Sequence, residues 1–317
     1  MRIVIIILLS LFANSAKSQS SSILDLVVIG KDTIVASTYD MSIIVSHDGG
    51  KTWITTERQL MKKLGLDGKR IWGIDSWIGI HERSYSRLFY SDDIGKTWKQ
   101  IELNTDLFFA MDFIEIGGRF WIVDAQSDIW EHKVTNVETS LSWKKRTSFN
   151  DFGRLSILSS YRDSYLKISG LGDSLWVFDT KAKKLIRSKS PIEDLELAVL
   201  LNNSIVYLLD GKDSQVFQFD LKEQKLNSIT KVEGYKWFSS FSIVGNTLFV
   251  LGEGNDGRQD FTVLSMINSQ GQLKIIDGVK GGDADVCFID KYNRLWIGTT
   301  KGMFLLEPGS DKSKQIL

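Results

Sequence analysis

The sequence predicts an all-β chain folded as a single seven-bladed β-propeller of four-stranded antiparallel blades. Three observations carry that expectation. A turn residue, then Thr, Arg or Ser, then two apolar residues recurs every 37 to 49 residues. Around it stand short runs of β-branched and aromatic residues, broken by Gly, Asn, Asp and Ser, which is sheet chemistry. The octapeptide "SHDGGKTW" (Ser46–Trp53) returns 45 residues later as "SDDIGKTW" (Ser91–Trp98). Four short strands in about 40–45 residues form the unit of a propeller blade, which cannot bury its two faces alone. No stretch holds a 3.6-residue apolar period over several turns.

The first element is not part of the fold. Arg2 precedes the apolar run Ile3–Ala13, and Ala16 and Ser18 place small residues before Gln19. An apolar core of 11 residues is short for a membrane span and suits a secretory leader. Residues 1–18 are therefore read as a cleaved signal peptide and 19–317 as the propeller domain. The expected location is secreted or periplasmic. Beyond the leader no stretch reaches transmembrane length.

The units follow in order. Their marker reads "DTIV" at Asp32, "KRIW" at Lys69, "GRFW" at Gly118 and "DSYL" at Asp163, then "NSIV" at Asn203, "NTLF" at Asn246 and "NRLW" at Asn293. An apolar run precedes most markers, as in "ILDLVVIG", "LFFAMDFIEIG", "LELAVLL", "FSSFSIVG" and "ADVCFID". A third run follows, as in "SIIVS", "RLFYS", "LWVFD", "QVFQFD", "FTVLSM" and "GMFLLE". A fourth, outer strand is expected at "TWITT" and "TWKQIEL". The least regular stretch is "VTNVETSLSWKKRTSFN", between residues 134 and 150. For closure of the ring, either "KSKQIL" supplies the last outer strand or the N-terminal segment completes the last blade.

Within each octapeptide the chemistry is that of a tight turn. Asp48 and Asp93 can accept from backbone N–H groups, and Gly50 and Gly95 supply positive φ. Thr52 and Thr97 start the outer strand, and Trp53 and Trp98 wedge between sheets. Ser46 and Ser91 open the pattern Ser-x-Asp-x-Gly-x-Thr-Trp. That pattern resembles the Asp-box, or BNR repeat, which in its families lies opposite the substrate face. Looser hairpins, "FDTKAKKL", "FDLKEQKL" and "INSQGQL", stand in later units. The last unit resembles the repeat of two-component-regulator propellers through Trp296, Gly298, Thr299 and Gly302. The chain also resembles non-enzymatic exported propellers such as the photosystem II assembly and stability factor family. That resemblance implies a binding platform and reaches only fold and box.

The obvious enzymatic relative is the sialidase, but its active-site pattern is missing. Its first arginine precedes the first box, whereas the first arginine after the leader is Arg58. Lysine cannot reproduce the bidentate guanidinium. A carbohydrate-active enzyme, a glycoside hydrolase or lyase, is the alternative reading. It would use carboxylates such as Asp75, Glu82, Asp124 or Asp256 at the mouth of the channel. His47, His81 and His132 stand alone, and no CxxC or His pair has metal spacing, so no metal or cofactor is expected. Cys287, the only cysteine, has no disulfide partner in the chain and reads as a small buried hydrophobe. Lys+Arg and Asp+Glu both count 39, which argues against nucleic acid as partner.

What remains is recognition by an exported, non-catalytic, monomeric propeller of a protein or glycan partner. The loops between second and third strands share a face opposite the octapeptide turns. Of these, "GIHERSYSR" and "LGEGNDGRQD" are the longest and most charged. The candidate binding residues are His81, Arg83, Arg87, Asp256 and Arg258.

Overall fold

The fold comes from a computed structural model. It describes residues 22–317 except 69, 79–83, 104–109, 116–118, 125–127, 134–139, 142, 149–155, 162–164, 170–173, 180–183, 202–203, 245, 256–259, 277–278 and 280–283. The first sheet holds β1 to β4 (Ile23–Ile29, Thr33–Thr38, Ser42–Ser46, Ile54–Arg58), and the next β5 to β8 (Lys63–Asp67, Arg70–Ile78, Ser84–Ser91, Lys99–Leu103). Then come β9 (Ala110–Glu115), β10 (Arg119–Asp124), β11 (Asp128–Lys133), the two-residue β12 (Ser140–Leu141) and β13 (Lys144–Ser148). A further sheet holds β14 to β17 (Ser156–Tyr161, Tyr165–Ser169, Ser174–Asp179, Lys184–Lys189). It is followed by β18 to β21 (Leu195–Leu200, Ile205–Asp210, Gln215–Asp220, Lys225–Lys231). The chain continues with β22 to β25 (Trp237–Val244, Thr247–Asn255, Asp260–Ile267, Leu273–Ile275). The last sheet is β26 to β29 (Ala284–Ile289, Leu295–Thr299, Gly302–Leu306, Lys314–Gln315).

Each recurrence of the sequence marker falls at the start of a sheet's second strand. The first strand of each sheet packs against the first strand of the next, and β26 returns onto β1. The sheets therefore stand radially about an axis, which is a β-propeller.

The expectation of seven four-stranded antiparallel blades is corrected by the topology. Six sheets, not seven, meet that description; the remaining sheet has five strands in the order β12-β8-β7-β6-β5. Its extra strand is parallel, with Ser140 opposite Glu102 and Leu141 opposite Leu103. β12 comes from the connection between β11 and β13, the irregular stretch of the sequence, and covers the outer edge of β8. An open edge is a row of unpaired backbone groups, and a neighbouring segment here satisfies part of it. The six four-stranded sheets share a second feature that the five-stranded one lacks. Near the start of the inner strand one extra residue bulges from the ladder: Leu24, Met111, Glu196, Ser239 and Asp285 in five sheets, and a residue between Ser156 and Ser159 in the sixth. β5 pairs with β6 without interruption. Bulges bend and twist a strand locally, and these all sit at the same end of the ring.

The core is a series of slabs between sheets. Trp98 joins Val27, Val35, Val45, Leu64 and Phe89 between the first two sheets. Trp72, Phe113, Phe120 and Trp130 fill the following seam, with Trp72 and Phe120 edge to face at 4.4 Å. Phe238, Val250 and Leu209 pack another seam, and Leu251, Leu264 and Ile297 the one beyond. Strands buried on both faces read as near-continuous apolar runs, which is why the sequence shows them so clearly.

The ring closes between the last sheet and the first. Of the two closures the sequence leaves open, the C-terminal segment supplies the outer strand: β29 pairs with β28. Among the described residues no strand crosses the closing seam, and side chains hold it. Trp53, Ile316 and Leu317 pack with Ile23, Ile34, Trp296 and Met303. Arg294, nearly buried, donates from Nε to Asp290 at 2.7 Å and from an Nη atom to the Lys31 carbonyl at 2.6 Å. Gly50 has φ +89, and a Cβ there would overlap the side chain of Ile316. Gly30 has φ +65 and open space around it. Gly50→Ala should therefore cost roughly 1–3 kcal/mol more than Gly30→Ala, because overpacking adds to backbone strain only at Gly50. Denaturant midpoints of the two variants check this, and equal losses would remove Gly50 from the closure.

Candidate binding face

Strand direction divides the ring into two ends. The β1–β2 and β3–β4 connections and their counterparts share one, the turn end; the β2–β3 type connections and the links between sheets share the other, the open face.

The two octapeptides are built alike at the turn end. Ser46 Oγ donates to Asp48 Oδ1 at 2.9 Å and accepts from the Gly50 N–H at 2.8 Å. Asp48 then accepts from the N–H groups of Lys51 and Thr52 and from the Thr52 hydroxyl at 2.7 Å. Ser91, Asp93, Gly95 and Thr97 repeat these bonds, except that no counterpart of the Lys51 contact is formed. The indoles of Trp53 and Trp98 donate back to the carbonyls of Gly50 and Gly95 at 3.0 and 3.1 Å. Thr52 and Thr97 belong to the turn itself, since the outer strands begin at Ile54 and Lys99. Backbone and hydroxyl donation from Thr52 holds the Asp48 carboxyl at about 2. Burial works against Asp93, yet the hydroxyl and N–H of Thr97 and the hydroxyl of Ser91 bring it to about 2 as well. Positive φ occurs at two consecutive residues in each turn, Gly49–Gly50 and Ile94–Gly95.

A second device escaped the sequence reading. Asp124 accepts from the Asp128 N–H at 2.9 Å and the Trp130 indole at 2.8 Å. Asp290 accepts from the Arg294 N–H at 3.1 Å and the Trp296 indole at 3.0 Å. The signal was present as Asp-x3-x-x-Trp in "DAQSDIW" and "DKYNRLW". Burial raises the Asp290 carboxyl, but these donors and the Arg294 guanidinium bring it below its ordinary value.

On the open face, Arg87 is the one candidate binding residue within the described chain; His81, Arg83, Asp256 and Arg258 lie outside the described residues. The Arg87 guanidinium pairs with Asp75, which is fully buried. Asp75 thus anchors Arg87 through one carboxylate oxygen, and Asp124 is an indole and backbone acceptor. Glu82 and Asp256 lie outside the described residues. Among the described residues no group of three His, Cys, Asp or Glu could hold a metal ion. Cys287 is half-buried rather than fully buried, and desolvation pushes its thiol up to about 12. No helix among the described residues is long and apolar enough to cross a membrane.

The sequence reading missed the exposed apolar groups of this face. Trp237 opens β22 with 54% of its surface free, its indole donating to Glu253 and the Lys236 ammonium 4.5 Å from its ring centroid. Tyr39 and Met41, in the β2–β3 connection, are also exposed. Beside Trp237, the Glu196 carboxylate at its bulge accepts from the Phe238 N–H across the seam, and burial raises its pKa. Asp25 makes the same reach, accepting from the Leu64 N–H at 2.8 Å.

No family model and no curated protein matches the chain. Solved structures do. The chain is similar to YCF48 bound to D1 peptide, at 14% identity over 90% of this chain and 93% of that one, with a TM-score of 0.67. YCF48 from Cyanidioschyzon merolae gives 12% identity over 91% and 96%, with a TM-score of 0.70. The WD40 β-propeller domain of Doa1 gives 10% over 92% and 95%, with a TM-score of 0.66. Such identities show the fold, a β-propeller, and the likeness to the Asp-box stays one of pattern and turn geometry.

Two outcomes follow from the turns. Trp98→Ala should destabilise the protein by roughly 3–5 kcal/mol in chemical denaturation, because it opens the seam between the first two sheets. The folded pKa of Asp48 and Asp93 lies below the ordinary 3.8. Their ionised forms therefore favour the folded state, fully above about pH 4 and less as pH falls through about 2. Replacing both by Asn should flatten the stability profile in that window at constant salt.

Proposed function

We propose that this chain is an exported, non-catalytic β-propeller that binds a protein partner on its open face. The observation that carries the reading is the exposure of Trp237, Tyr39 and Met41, on two different sheets, along the face built over the inner-strand bulges. Large exposed aromatic and thioether groups are the usual anchors of protein recognition, and Trp237 is held in place by Glu253. Support comes also from a propeller of the same fold that was solved with a bound peptide. Export rests on the leader read at residues 1–18.

Site-specific photo-crosslinking tests the proposal. A crosslinker at Trp237 or Tyr39, in the exported fraction of the native cell, should give a discrete protein adduct, and one at Ile54 on the outer strand should not. Trp237→Ala should weaken capture at least about tenfold. Arg83→Glu and Arg258→Glu are informative companions; Arg87→Glu is not, since it also strands the buried Asp75. The mature protein should begin at Gln19 by mass spectrometry. Turnover of a polysaccharide by the purified protein would overturn the non-catalytic reading.

A further inference from the structure

At the turn end, where the last sheet meets the first, a cleft of about 540 Å³ opens between the two octapeptide-side turns and the C-terminal strand. Its wall carries Lys31, Lys51, Lys312 and Lys314, all exposed. None of the four forms an ion pair with a described residue, although Lys274 and Asp311 pair nearby. The cationic side is completed by Arg294, whose guanidinium is fixed by Asp290 and the Lys31 carbonyl. The acids of the wall are Asp32, Asp48 and Glu307. Asp48 is consumed by its turn, accepting from Ser46, Lys51 and Thr52. Asp48 keeps its charge, so the wall sets four ammonium groups against three carboxylates, with Lys312 also beside Asp311 and Arg294 already paired with Asp290, in a chain whose net charge is zero.

Lysines on an edge strand often serve only to prevent pairing with another chain, and that accounts for Lys312 and Lys314 beside β29. It does not account for Lys31 and Lys51, which stand on turns. The rest of the wall suits a ligand that carries anionic groups and hydroxyls together. Asp32, Glu307 and the side-chain oxygen of Gln315 offer acceptors to hydroxyl donors between the lysines, whereas the Ser310 hydroxyl is taken by the Lys312 backbone. Tyr292, exposed over 42% of its surface, has the Arg294 guanidinium 5.4 Å and the Lys291 ammonium 5.2 Å from its ring, so a further cation stands near that wall. The volume is that of a small-molecule site.

We infer that this cleft binds a short acidic saccharide, its carboxylate or sulfate groups held by Lys31, Lys51, Lys312 and Lys314 and its hydroxyls by Asp32 and Glu307. The site is separate from the open face and does not depend on the reading given to that face.

Calorimetric titration of the full chain tests it with five probes: an oligogalacturonate, a sulfated heparin-derived oligosaccharide, a neutral cello-oligosaccharide of equal length, inorganic sulfate and a polyglutamate peptide. One or both acidic saccharides should bind, which of them telling carboxylate from sulfate, and affinity should fall as salt rises. The pairs Lys31→Gln/Lys51→Gln and Lys312→Gln/Lys314→Gln should each weaken binding about tenfold while leaving the melting temperature unchanged. Asp32→Asn with Glu307→Gln should weaken the saccharide but strengthen inorganic sulfate, a split that a plain positive patch would not give. The inference is overturned if neither acidic saccharide binds, or if the neutral sugar, sulfate or polyglutamate binds as tightly. Undiminished binding by the lysine variants would overturn it equally.

Discussion

Everything in this molecule depends on sheets that bury both faces against neighbours arranged in a closed circle. A flat sheet of four short strands has no stable face of its own, so the seams carry the hydrophobic free energy. Most seams are filled by the alternating residues of consecutive sheets, and chain connectivity brings those sheets together. The closing seam has no such help. It joins segments about 260 residues apart in sequence, and the entropy of bringing them together must be met by contacts alone. The concentration of specific features there follows from that demand: the Arg294–Asp290 pair, its bond to the Lys31 carbonyl, and Ile316 seated over Gly50.

The repeated octapeptide is the same solution at the neighbouring seam. A Cβ at Gly95 would press against Val35 and Val45 of the first sheet, as one at Gly50 would against the last. The Gly95 carbonyl accepts from both the Trp98 indole and the Thr56 hydroxyl of the preceding sheet's outer strand, at 3.1 and 2.6 Å. Each turn therefore does two things, closing its own hairpin through Asp and locking onto the sheet before it through Gly and Trp. Later sheets close the hairpin in the same way but reach the preceding sheet without a tryptophan. Asp220 accepts from the N–H groups of Lys222 and Glu223, and Asn268 from those of Gln270 and Gln272. Their hold on the sheet before runs through Gln224, which accepts from the Ser188 hydroxyl at 3.1 Å, and through Gly271, where a Cβ would press on Ile229, so "FDLKEQKL" and "INSQGQL" look like faded copies of the octapeptide.

What the sequence showed follows the same division. Buried strands were legible because burial on both faces writes continuous apolar runs, as at "ELAVLL" and "LFVLG", and because the markers open second strands. The five-stranded sheet was not, since β12 is two residues long and its partner Glu102–Leu103 lies in another repeat. No local propensity encodes such a pairing. Thr52 and Thr97 were placed one element too late because threonine favours strands, whereas here the hydroxyl serves an Asp acceptor. Trp237 was hidden for the opposite reason: a tryptophan at the head of an apolar run reads as core, and only the bulge at Ser239 and the rim position of β22 expose it.

The two ends of the ring are therefore built under different constraints. At the turn end, glycines with positive φ and saturated Asp acceptors leave little freedom, and the lysines project from that framework as long, flexible additions. At the open face, inner strands of six sheets begin with an extra residue, and their carboxylates reach across seams to backbone donors, as Asp25 and Glu196 do. A bulge decouples the rim from the ladder below it, so side chains at the rim can change without shifting the register that fills the seams. That separation lets one fold hold its packing constant while the chemistry of its open face varies. It also places the turn framework beneath the lysine cleft, where the backbone positions of Lys31 and Lys51 are set while their long side chains stay adaptable.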